Sequence, residues 1–374
     1  MQFIDIAAQQ KRLKPAIDAA LEAVLAHGQY VLGPEVGMFE EELAEFAGAR
    51  HAVGCANGTD AILLPLMAWG VGPGDAVFCP SFTYCATAEV VALAGATPVF
   101  VDIERDTYNM DADSLAQAVA DVRQRGELVP RAVIAVDLFG QSADYPAIAE
   151  VTRAHGLKLI SDCAQGFGTT LNGRGPLHWA DVQTTSFFPA KPLGAYGDGG
   201  AVLTNDAEMD RVLRSLRMHG AGETKYDNVR VGLNSRLDTM QAAVLRPKLA
   251  VFADEIEKRN AVAERYNKAL EGIVERVPHV PDGVVSTWAQ YTVEVAEPDA
   301  LQKTLGERGV PSARYYPVPI HRQTAYQSYL IGGNGLPSTE AAMERVISLP
   351  MHAYLEPGDQ ERVVEAVRES LLLL

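Results

Sequence analysis

The chain of 374 residues carries little positive charge and has few cysteines. Its 32 lysine and arginine residues stand against 48 aspartate and glutamate residues, which gives a formal net charge of −16. This acidic balance argues against nucleic acid or an anionic membrane as the main partner. No apolar run approaches the roughly 20 residues that a helix needs to span a bilayer. An anionic small ligand is not excluded, because it needs only a local cluster of donors.

The chain has four cysteines: Cys55, Cys79, Cys85 and Cys163. They form no CxxC pair and have no histidines at metal-ligand spacing, so the sequence predicts no metal site. The apolar residues around them predict buried, reduced thiols. The amino terminus lacks the basic-then-apolar order of a signal peptide. We therefore expect a cytoplasmic protein.

Two helical patterns open the chain, and short apolar runs then alternate with further helical patterns. The apolar runs occupy 76–79, 98–102, 132–137 and 157–162, and the helical patterns between them occupy 84–94, 111–121 and 144–155. This alternation predicts an α/β fold with a mainly parallel sheet and helices on both faces. In such sheets ligands bind beyond the carboxyl ends of the strands, so candidate functional residues should follow the apolar runs.

The length and a hydrophobic content of 48% predict a large core and two domains. A long helical pattern runs from Leu237 to Leu270, and Pro247 within it should kink it or divide it in two. The segment beyond it predicts strand 290–295 and helix 298–308. We therefore expect a large domain over 1–245, with the amino-terminal helices, and a long helix with a smaller α/β domain over 246–374.

Lys191 is the first candidate for chemistry. It precedes Pro192, and a proline disfavours helical dihedrals in the residue before it, so the lysine should lie on a turn. Four glycines follow within the next nine residues, which lets the backbone turn tightly and lets a flat ligand approach. The alternative is an ordinary surface lysine beside a flexible loop.

A candidate anion site lies at Gly58 and Thr59, which follow a short apolar run and open a helical pattern. Free backbone N–H groups and the helix dipole at such a start attract an anion. Ser186 offers another hydroxyl for a phosphate. The alternative is an ordinary helix cap by Thr59 or Asn57, and no Gly-Lys-Ser/Thr of a Walker loop follows.

Three further candidates follow apolar runs. Asp162 ends one run and could hold a protonated ring nitrogen, or it could simply cap a helix. Gln165 could donate to a ring oxygen, and Tyr84 offers a flat ring for stacking or belongs to the core. With Lys191 and the anion site, these residues supply what pyridoxal 5'-phosphate needs in order to bind as a Schiff base and act as an electron sink.

Five sequence blocks carry a family resemblance over essentially the whole chain. They are Leu32-Gly-Pro-Glu35, Ala56-Asn-Gly-Thr-Asp60, Ser161-Asp-Cys-Ala-Gln165, Ser186-Phe-Phe-Pro-Ala-Lys191 and Gly232-Leu-Asn-Ser-Arg-Leu-Asp238. On these blocks the chain resembles the DegT/DnrJ/EryC1/StrS family of nucleotide-sugar aminotransferases, which are pyridoxal phosphate enzymes of fold type I. The resemblance implies a large domain with a mainly parallel mixed sheet and a smaller carboxyl-terminal α/β domain.

The resemblance also implies roles around the cofactor ring. Lys191 would carry the cofactor as a Schiff base and shuttle the proton between Cα and C4'. Asp162 would pair with the pyridine nitrogen, Gln165 with the ring oxygen, and Tyr84 would stack on the ring.

The phosphate contacts are implied in the same way. Gly58, Thr59 and Ser186 would hold the phosphate within one subunit. Asn234 would reach the same phosphate from the other subunit, which implies a homodimer with shared active sites.

Within the family, the chain looks most similar to enzymes that aminate a UDP-2-acetamido-2-deoxy-3-keto-glucuronic acid, with L-glutamate as donor and 2-oxoglutarate as product. Arg236 would then grip the uronate carboxylate, or it forms a structural salt bridge. Those relatives usually have a histidine where Tyr315 stands, which favours a substrate without the carboxylate. Tyr316, His219 and His321 are further candidate substrate contacts, and each histidine could equally be a satisfied polar residue.

Three alternative functions are compatible with the sequence. One is an aminotransferase for a dTDP- or GDP-linked keto-6-deoxyhexose, and another is a sugar dehydratase of the same fold, whose relatives have histidine in place of the lysine. A third, of another class, is a non-catalytic regulator or binding protein. The retained Lys191, Asp162 and phosphate residues favour an aminotransferase.

Overall fold

The computed structural model describes residues 1–224 and 226–374. The strands are β1 (His51–Cys55), β2 (Asp75–Pro80), β3 (Thr97–Val101), β4 (Val129–Val136), β5 (Lys158–Asp162), β6 (Thr170–Leu171), β7 (Val182–Ser186), β8 (Gly200–Thr204), β9 (Val284–Val285), β10 (Tyr291–Glu294), β11 (Leu330–Ile331) and β12 (Val346–Leu349). The helices are α1 (Ile6–His27), α2 (Pro34–Ala47), α3 (Gly58–Ala68), α4 (Ala86–Leu93), α5 (Ala112–Arg125), α6 (Tyr145–His155), α7 (Ala207–Leu216), α8 (Thr239–Leu249), α9 (Phe252–Leu270), α10 (Pro298–Glu307), α11 (Pro337–Arg345) and α12 (Pro357–Leu371).

An eight-stranded sheet in the order β1-β8-β7-β5-β4-β2-β3-β11 forms the centre of the molecule. The pairs from β7 to β11 are parallel, whereas β8 is antiparallel to both β7 and β1. It follows that β8 alone runs against the other seven strands. The carboxyl ends of β1, β5 and β7 and the start of β8 therefore meet at one edge of the sheet.

Helices cover both faces of this sheet because alternate strand residues face opposite sides. Val77 packs with residues of α3 and α4 on one face, and Phe78 packs with α5 and α6 on the other. At the β1 end, α2 and α8 cover the face that carries Ala201 and Leu203. This arrangement confirms the predicted mainly parallel α/β fold.

A glycine follows each of the first two helices. Gly28 after α1 and Gly48 after α2 adopt left-handed φ values of 70° and 66°, which only glycine adopts without steric cost. The segment 237–270 is divided in two, but the break lies at Ala250 and Val251 and not at Pro247, which is accommodated inside α8.

The segment after α8 builds a second core. Antiparallel strands β10 and β12 pack with α9, α10 and α12 around Tyr266, Tyr291 and Val367. This segment also returns to the large sheet, where β11 pairs with β3 through Leu330 and Ile331. The large sheet thus takes its last strand from beyond residue 246.

Three of the four cysteines are buried, as expected, but Cys85 is only half-buried. All four are free thiols. In the described part of the chain, no helix combines the length and apolar character that crossing a membrane requires.

Candidate active site

The candidate residues named from the sequence lie near the edge of the sheet where β1, β5 and β7 end and β8 begins. In the strand register, Cys55 of β1 and Ser186 of β7 both pair with Gly200 of β8. Asp162 at the end of β5 lies beside Thr184 of β7. The loop that follows β7 therefore emerges between the start of α3 and the end of β5.

Lys191 lies on a turn in this loop, as its position before Pro192 predicts. Its N–H donates to the Phe188 carbonyl at 2.8 Å, and Ala195 N–H donates to the Phe187 carbonyl at 2.7 Å. The lysine side chain is half-buried. Hydrogen bonds hold the backbone of this turn, unlike that of a lysine on a flexible surface loop.

Lys191 and Asp162 influence each other's charge. Burial lowers the pKa of the Lys191 amine, and the Asp162 carboxylate opposes that shift. Burial likewise raises the pKa of Asp162, against the hydrogen bond from Ala164 N–H at 3.0 Å and the charge of Lys191. An amine with a lowered pKa is a better nucleophile near neutral pH, and a buried carboxylate is ready to pair with a cation.

Gln165 and Tyr316 form the wall beside Asp162. Phe139 N–H donates to Gln165 Oε1 at 2.8 Å, and Gln165 Nε2 donates to the Tyr316 hydroxyl at 2.9 Å. Burial, Tyr315 and Asp162 raise the pKa of Tyr316, so its hydroxyl keeps its proton. Gln165 is therefore oriented by two partners from different parts of the chain.

Gly58 and Ser186 make a tight cradle at the start of α3. A Cβ atom at position 58 would lie 2.5 Å from Ser186 Cβ, and one at Gly200 would lie 2.3 Å from the Asn57 carbonyl oxygen. Asn57 caps α3, since its Oδ1 accepts from Asp60 N–H at 2.8 Å. The cap leaves the N–H groups of Gly58 and Thr59 outside the helix's own bonding, which is the arrangement that attracts phosphate.

Asn234 and Arg236 lie on the outer side of an extended segment. Ser235 and Leu237 between and beside them are fully buried, and Ser235 Oγ accepts from Ala56 N–H at 3.2 Å. Asn234 is exposed and Arg236 half-buried. Among the described residues of this chain, no carboxylate lies within 4.0 Å of the Arg236 guanidinium, so the alternative of a salt bridge inside the subunit is not found.

Two tyrosines differ in their surroundings. Tyr84 is 58% exposed at the same edge of the sheet, so it is not the core residue that the alternative interpretation favoured. Tyr315 is half-buried, with its ring centroid 6.4 Å from that of Phe3 and 5.8 Å from that of Tyr316. Burial raises the pKa of Tyr315, which leaves it a neutral hydrogen-bonding group.

The two candidate histidines lie in different settings. His321 has Nδ1 at 2.7 Å from Ser81 Oγ and Nε2 at 2.7 Å from Glu340 Oε1, so both ring nitrogens are engaged. This geometry favours the satisfied polar residue over a substrate contact. His219 is exposed in a loop with φ of 60°, and its carbonyl accepts from Asn228 Nδ2 at 2.9 Å.

Asp137 is a buried residue of the site region that the sequence interpretation missed. Its carboxylate accepts from Ala143 N–H, the Tyr145 hydroxyl and the Cys163 thiol, and its N–H donates to the Asp162 carbonyl at 3.0 Å. Burial raises its pKa to about 7. Its place at the end of the run 132–137, like that of Asp162 at the end of 157–162, was the signal that could have found it.

Comparison with known proteins assigns the family. Residues 11–368 match the DegT/DnrJ/EryC1/StrS aminotransferase family. The chain belongs to this family.

Individual relatives agree with this assignment. The chain is 46% identical over 369 residues to a UDP-2-acetamido-2-deoxy-3-oxo-D-glucuronate aminotransferase from Pseudomonas aeruginosa, covering 98% of this chain and 99% of the other. It is 39% identical to a dTDP-3-amino-3,4,6-trideoxy-alpha-D-glucose transaminase from Streptomyces venezuelae, covering 98% and 95%. A crystal structure of a family aminotransferase from Brucella abortus superposes with a TM-score of 0.97 at 51% identity, covering 99% of each chain.

Aminotransferases of this family depend on pyridoxal phosphate. A solved structure of a putative sugar aminotransferase from Streptococcus pneumoniae, in its PLP form, has a TM-score of 0.87 to this chain at 25% identity, and the match covers 96% of each chain. The present chain is a pyridoxal phosphate-dependent aminotransferase.

Proposed function

We propose that this enzyme transfers an amino group from L-glutamate to C3 of a UDP-linked 2-acetamido-3-keto-hexuronic acid, with Lys191 as the reactive amine. The single observation that carries the chemistry is the position of Lys191, on a hydrogen-bonded turn and near enough to the buried Asp162 carboxylate for the two charges to influence each other. The proposed substrate is taken from the 46% identical relative, which is a UDP-2-acetamido-2-deoxy-3-oxo-D-glucuronate aminotransferase.

The residues present fit the cofactor. A side chain at position 58 would displace Ser186, so the glycine keeps Ser186 beside the N–H groups of Gly58 and Thr59, which supply donors for a phosphate. Ser186 would add its hydroxyl, and Tyr84 would cover the ring. When bound, pyridoxal phosphate supplies an electrophilic carbonyl and an electron-withdrawing ring.

Each polar group around the ring has a task that its setting supports. Lys191 would hold the cofactor, and its amine, which the lowered pKa leaves less often protonated near neutral pH, would accept the proton from Cα of glutamate. Asp162 would favour a protonated ring nitrogen, because a neighbouring cation offsets the cost of burying the carboxylate charge. Gln165, whose amide is oriented by Phe139 N–H, would contact the ring oxygen.

We further propose a homodimer in which Asn234 and Arg236 act in the neighbouring subunit's site. Both side chains lie on the outer side of a segment whose inner side chains are buried in their own chain. Asn234 would contact the phosphate and Arg236 the uronate carboxylate, which it can grip through two N–H groups. Tyr315 and Tyr316 would contact the sugar. We propose a cytoplasmic location on the basis of the four free cysteines.

A half-reaction with two sugars tests the substrate. The enzyme is treated with L-glutamate, freed of excess donor, and given UDP-3-keto-GlcNAc-uronate or, separately, a dTDP-3-keto-6-deoxyhexose. We expect the visible spectrum of the starting enzyme to return only with the uronate.

Each other outcome has a defined meaning. Return only with the deoxyhexose would assign the enzyme to the alternative class, represented here by the relative from Streptomyces venezuelae. If the starting spectrum returned with neither sugar, both sugar classes would be rejected, whereas the glutamate half-reaction would still stand. Full turnover by Lys191→Ala would overturn the proposed chemistry itself.

A further inference from the structure

We propose that Lys248 and Gln241, two residues of α8, are positioning residues that hold the Lys191 loop in its working geometry. The Lys191 loop is defined here as residues 187–199. This inference rests on the proposed role of Lys191 as the reactive amine. Lys248 and Gln241 lie seven positions apart, which places them on the same face of a helix.

Lys248 reaches the loop from a fully buried position. Only 1% of the residue is exposed, and its Nζ donates to the Gly194 carbonyl at 2.6 Å. The same Nζ lies 4.5 Å from the centroid of the Tyr196 ring, within the range of a cation–π contact. Lys248 thus contacts the loop at two residues that follow Lys191 by three and five positions.

Gln241 holds the next turn of the loop. Its Oε1 accepts from Tyr196 N–H at 2.9 Å. A Cβ atom at Gly197 would lie 3.1 Å from Gln241 Nε2, so the glycine backbone packs directly against the amide. The two α8 residues therefore fix consecutive loop residues from one side.

The loop is compact enough to transmit this restraint to Lys191. A Cβ atom at Gly194 would lie 2.4 Å from the Pro189 carbonyl oxygen and 2.9 Å from that of Phe188. Lys191 N–H donates to the same Phe188 carbonyl. A shift of Gly194 away from α8 would therefore move the turn that carries the amine.

Burying the Lys248 amine costs desolvation free energy, and the packing of α8 alone does not require a lysine at this position. Burial lowers the pKa of Lys248 to about 8, and Glu255 opposes the shift. In the described part of the chain, no carboxylate lies within 4.0 Å of its Nζ. A methionine would fill similar space without this desolvation cost. The group that a lysine adds at this position is the donor to Gly194.

Lys248→Met in the holoenzyme is the first test. We expect amide hydrogen exchange of segment 191–197 to become about tenfold faster or more, because one loop anchor is lost. We also expect kcat to fall about tenfold or more in both half-reactions with the KM for glutamate unchanged, since small displacements of a reacting group cost rate and not binding. Borohydride treatment should fix the cofactor on Lys191 in a smaller fraction of chains, counted by mass spectrometry.

Gln241 provides an independent arm if Lys248→Met does not fold. Gln241→Leu removes the acceptor for Tyr196 N–H and should accelerate the same exchange, whereas Gln241→Glu keeps an acceptor oxygen and should restore protection. Leu305→Ala, in the buried carboxyl-terminal core, is the control for general destabilisation. It should not accelerate exchange in segment 191–197 selectively.

The outcomes separate this inference from the proposed function. Unchanged loop exchange in both α8 variants, or faster exchange spread over the whole chain as in Leu305→Ala, would overturn the positioning role. If the wild-type cofactor were not fixed on Lys191 by borohydride, the proposed role of Lys191 would fail. The exchange measurement on the loop does not depend on that result.

Discussion

Gly58 and Ser186 are in direct contact at the carboxyl edge of the sheet, although they belong to α3 and β7. The contact is so close that a Cβ atom at position 58 would lie 2.5 Å from Ser186 Cβ and 3.0 Å from its Oγ. No real Cβ contact is that short, so any side chain at position 58 must displace one of the two segments. The absence of a side chain there is a requirement of the site.

Gly58→Ala should therefore weaken cofactor binding. Overpacking of this kind costs about 1–3 kcal/mol, so we expect the dissociation constant for pyridoxal phosphate to rise about tenfold or more. Fluorescence or spectral titration of the cofactor-free protein measures it. Gly37→Ala is the matched control, because a Cβ atom there meets nothing within 4 Å. Equal affinities for the two variants would contradict the proposal that cofactor binding requires the absence of a side chain at position 58.

Asp162→Asn should abolish most of the activity while keeping the fold. The amide has the shape of the carboxylate but cannot carry the charge that keeps a ring nitrogen protonated, and we expect kcat to fall about 100-fold or more. Stopped-flow measurement of both half-reactions tests this. Asp282→Asn removes an equal charge from an exposed site and should leave kcat unchanged. An Asp162→Asn variant with wild-type kcat would remove Asp162 from the mechanism.

Arg236→Met should impair the sugar half-reaction alone. Loss of a two-pronged contact to a carboxylate should raise the KM for the uronate substrate about tenfold or more, and Arg236→Lys should recover only part of it because lysine lacks the planar fork. The glutamate half-reaction should be unaffected. Arg362→Met, which removes an exposed arginine paired with Asp359, serves as the control. An equal loss in both half-reactions would mean that Arg236 serves the assembly and not the substrate.

His352 should make the fold sensitive to mild acid. Burial and Arg259 lower its pKa from 6.5 to about 4, so between these values the unfolded chain takes up a proton that the folded chain refuses. Stability is therefore lost as the pH falls from 6.5 to about 4, by about 3 kcal/mol relative to His352→Gln. Denaturant unfolding of both proteins at several pH values measures the difference.

This comparison also isolates His352 from Asp137. The raised pKa of Asp137 has the opposite effect, since the folded chain then binds the extra proton in that range. Asp137 is present in both proteins and cancels in the difference. A difference that does not change with pH would show that His352 titrates normally in the folded state.

Local sequence signals predicted the central residues of the site. Lys191 was predicted on a turn because Pro192 follows it, and Asp162 was predicted at a strand end because an apolar run precedes it. Both lie where these rules place them. The two residues come near each other because Asp162 ends β5 and Lys191 follows β7, neighbouring parallel strands whose carboxyl ends lie at the same edge of the sheet.

Local sequence signals could not predict contacts between segments that are far apart in the chain. Nothing near His321 in the sequence indicates Ser81 and Glu340, which engage both of its ring nitrogens. Lys248 looks like one polar position of a long helix until the helix is packed against Gly194. Pro247 was expected to mark the break between two helices, yet the break lies three residues later, at Ala250 and Val251, because tertiary packing outweighs local propensity.

The pairing of β11 with β3 has a consequence for fragments of this chain. Leu330 and Ile331 cover the outer edge of β3 beside Val99 and Phe100, both of them fully buried. A fragment ending at residue 245 would present that edge without a cover, and an exposed apolar strand edge recruits other strands. Separate expression of the first 245 residues should therefore give aggregates, and coexpression with the remainder should restore a soluble complex.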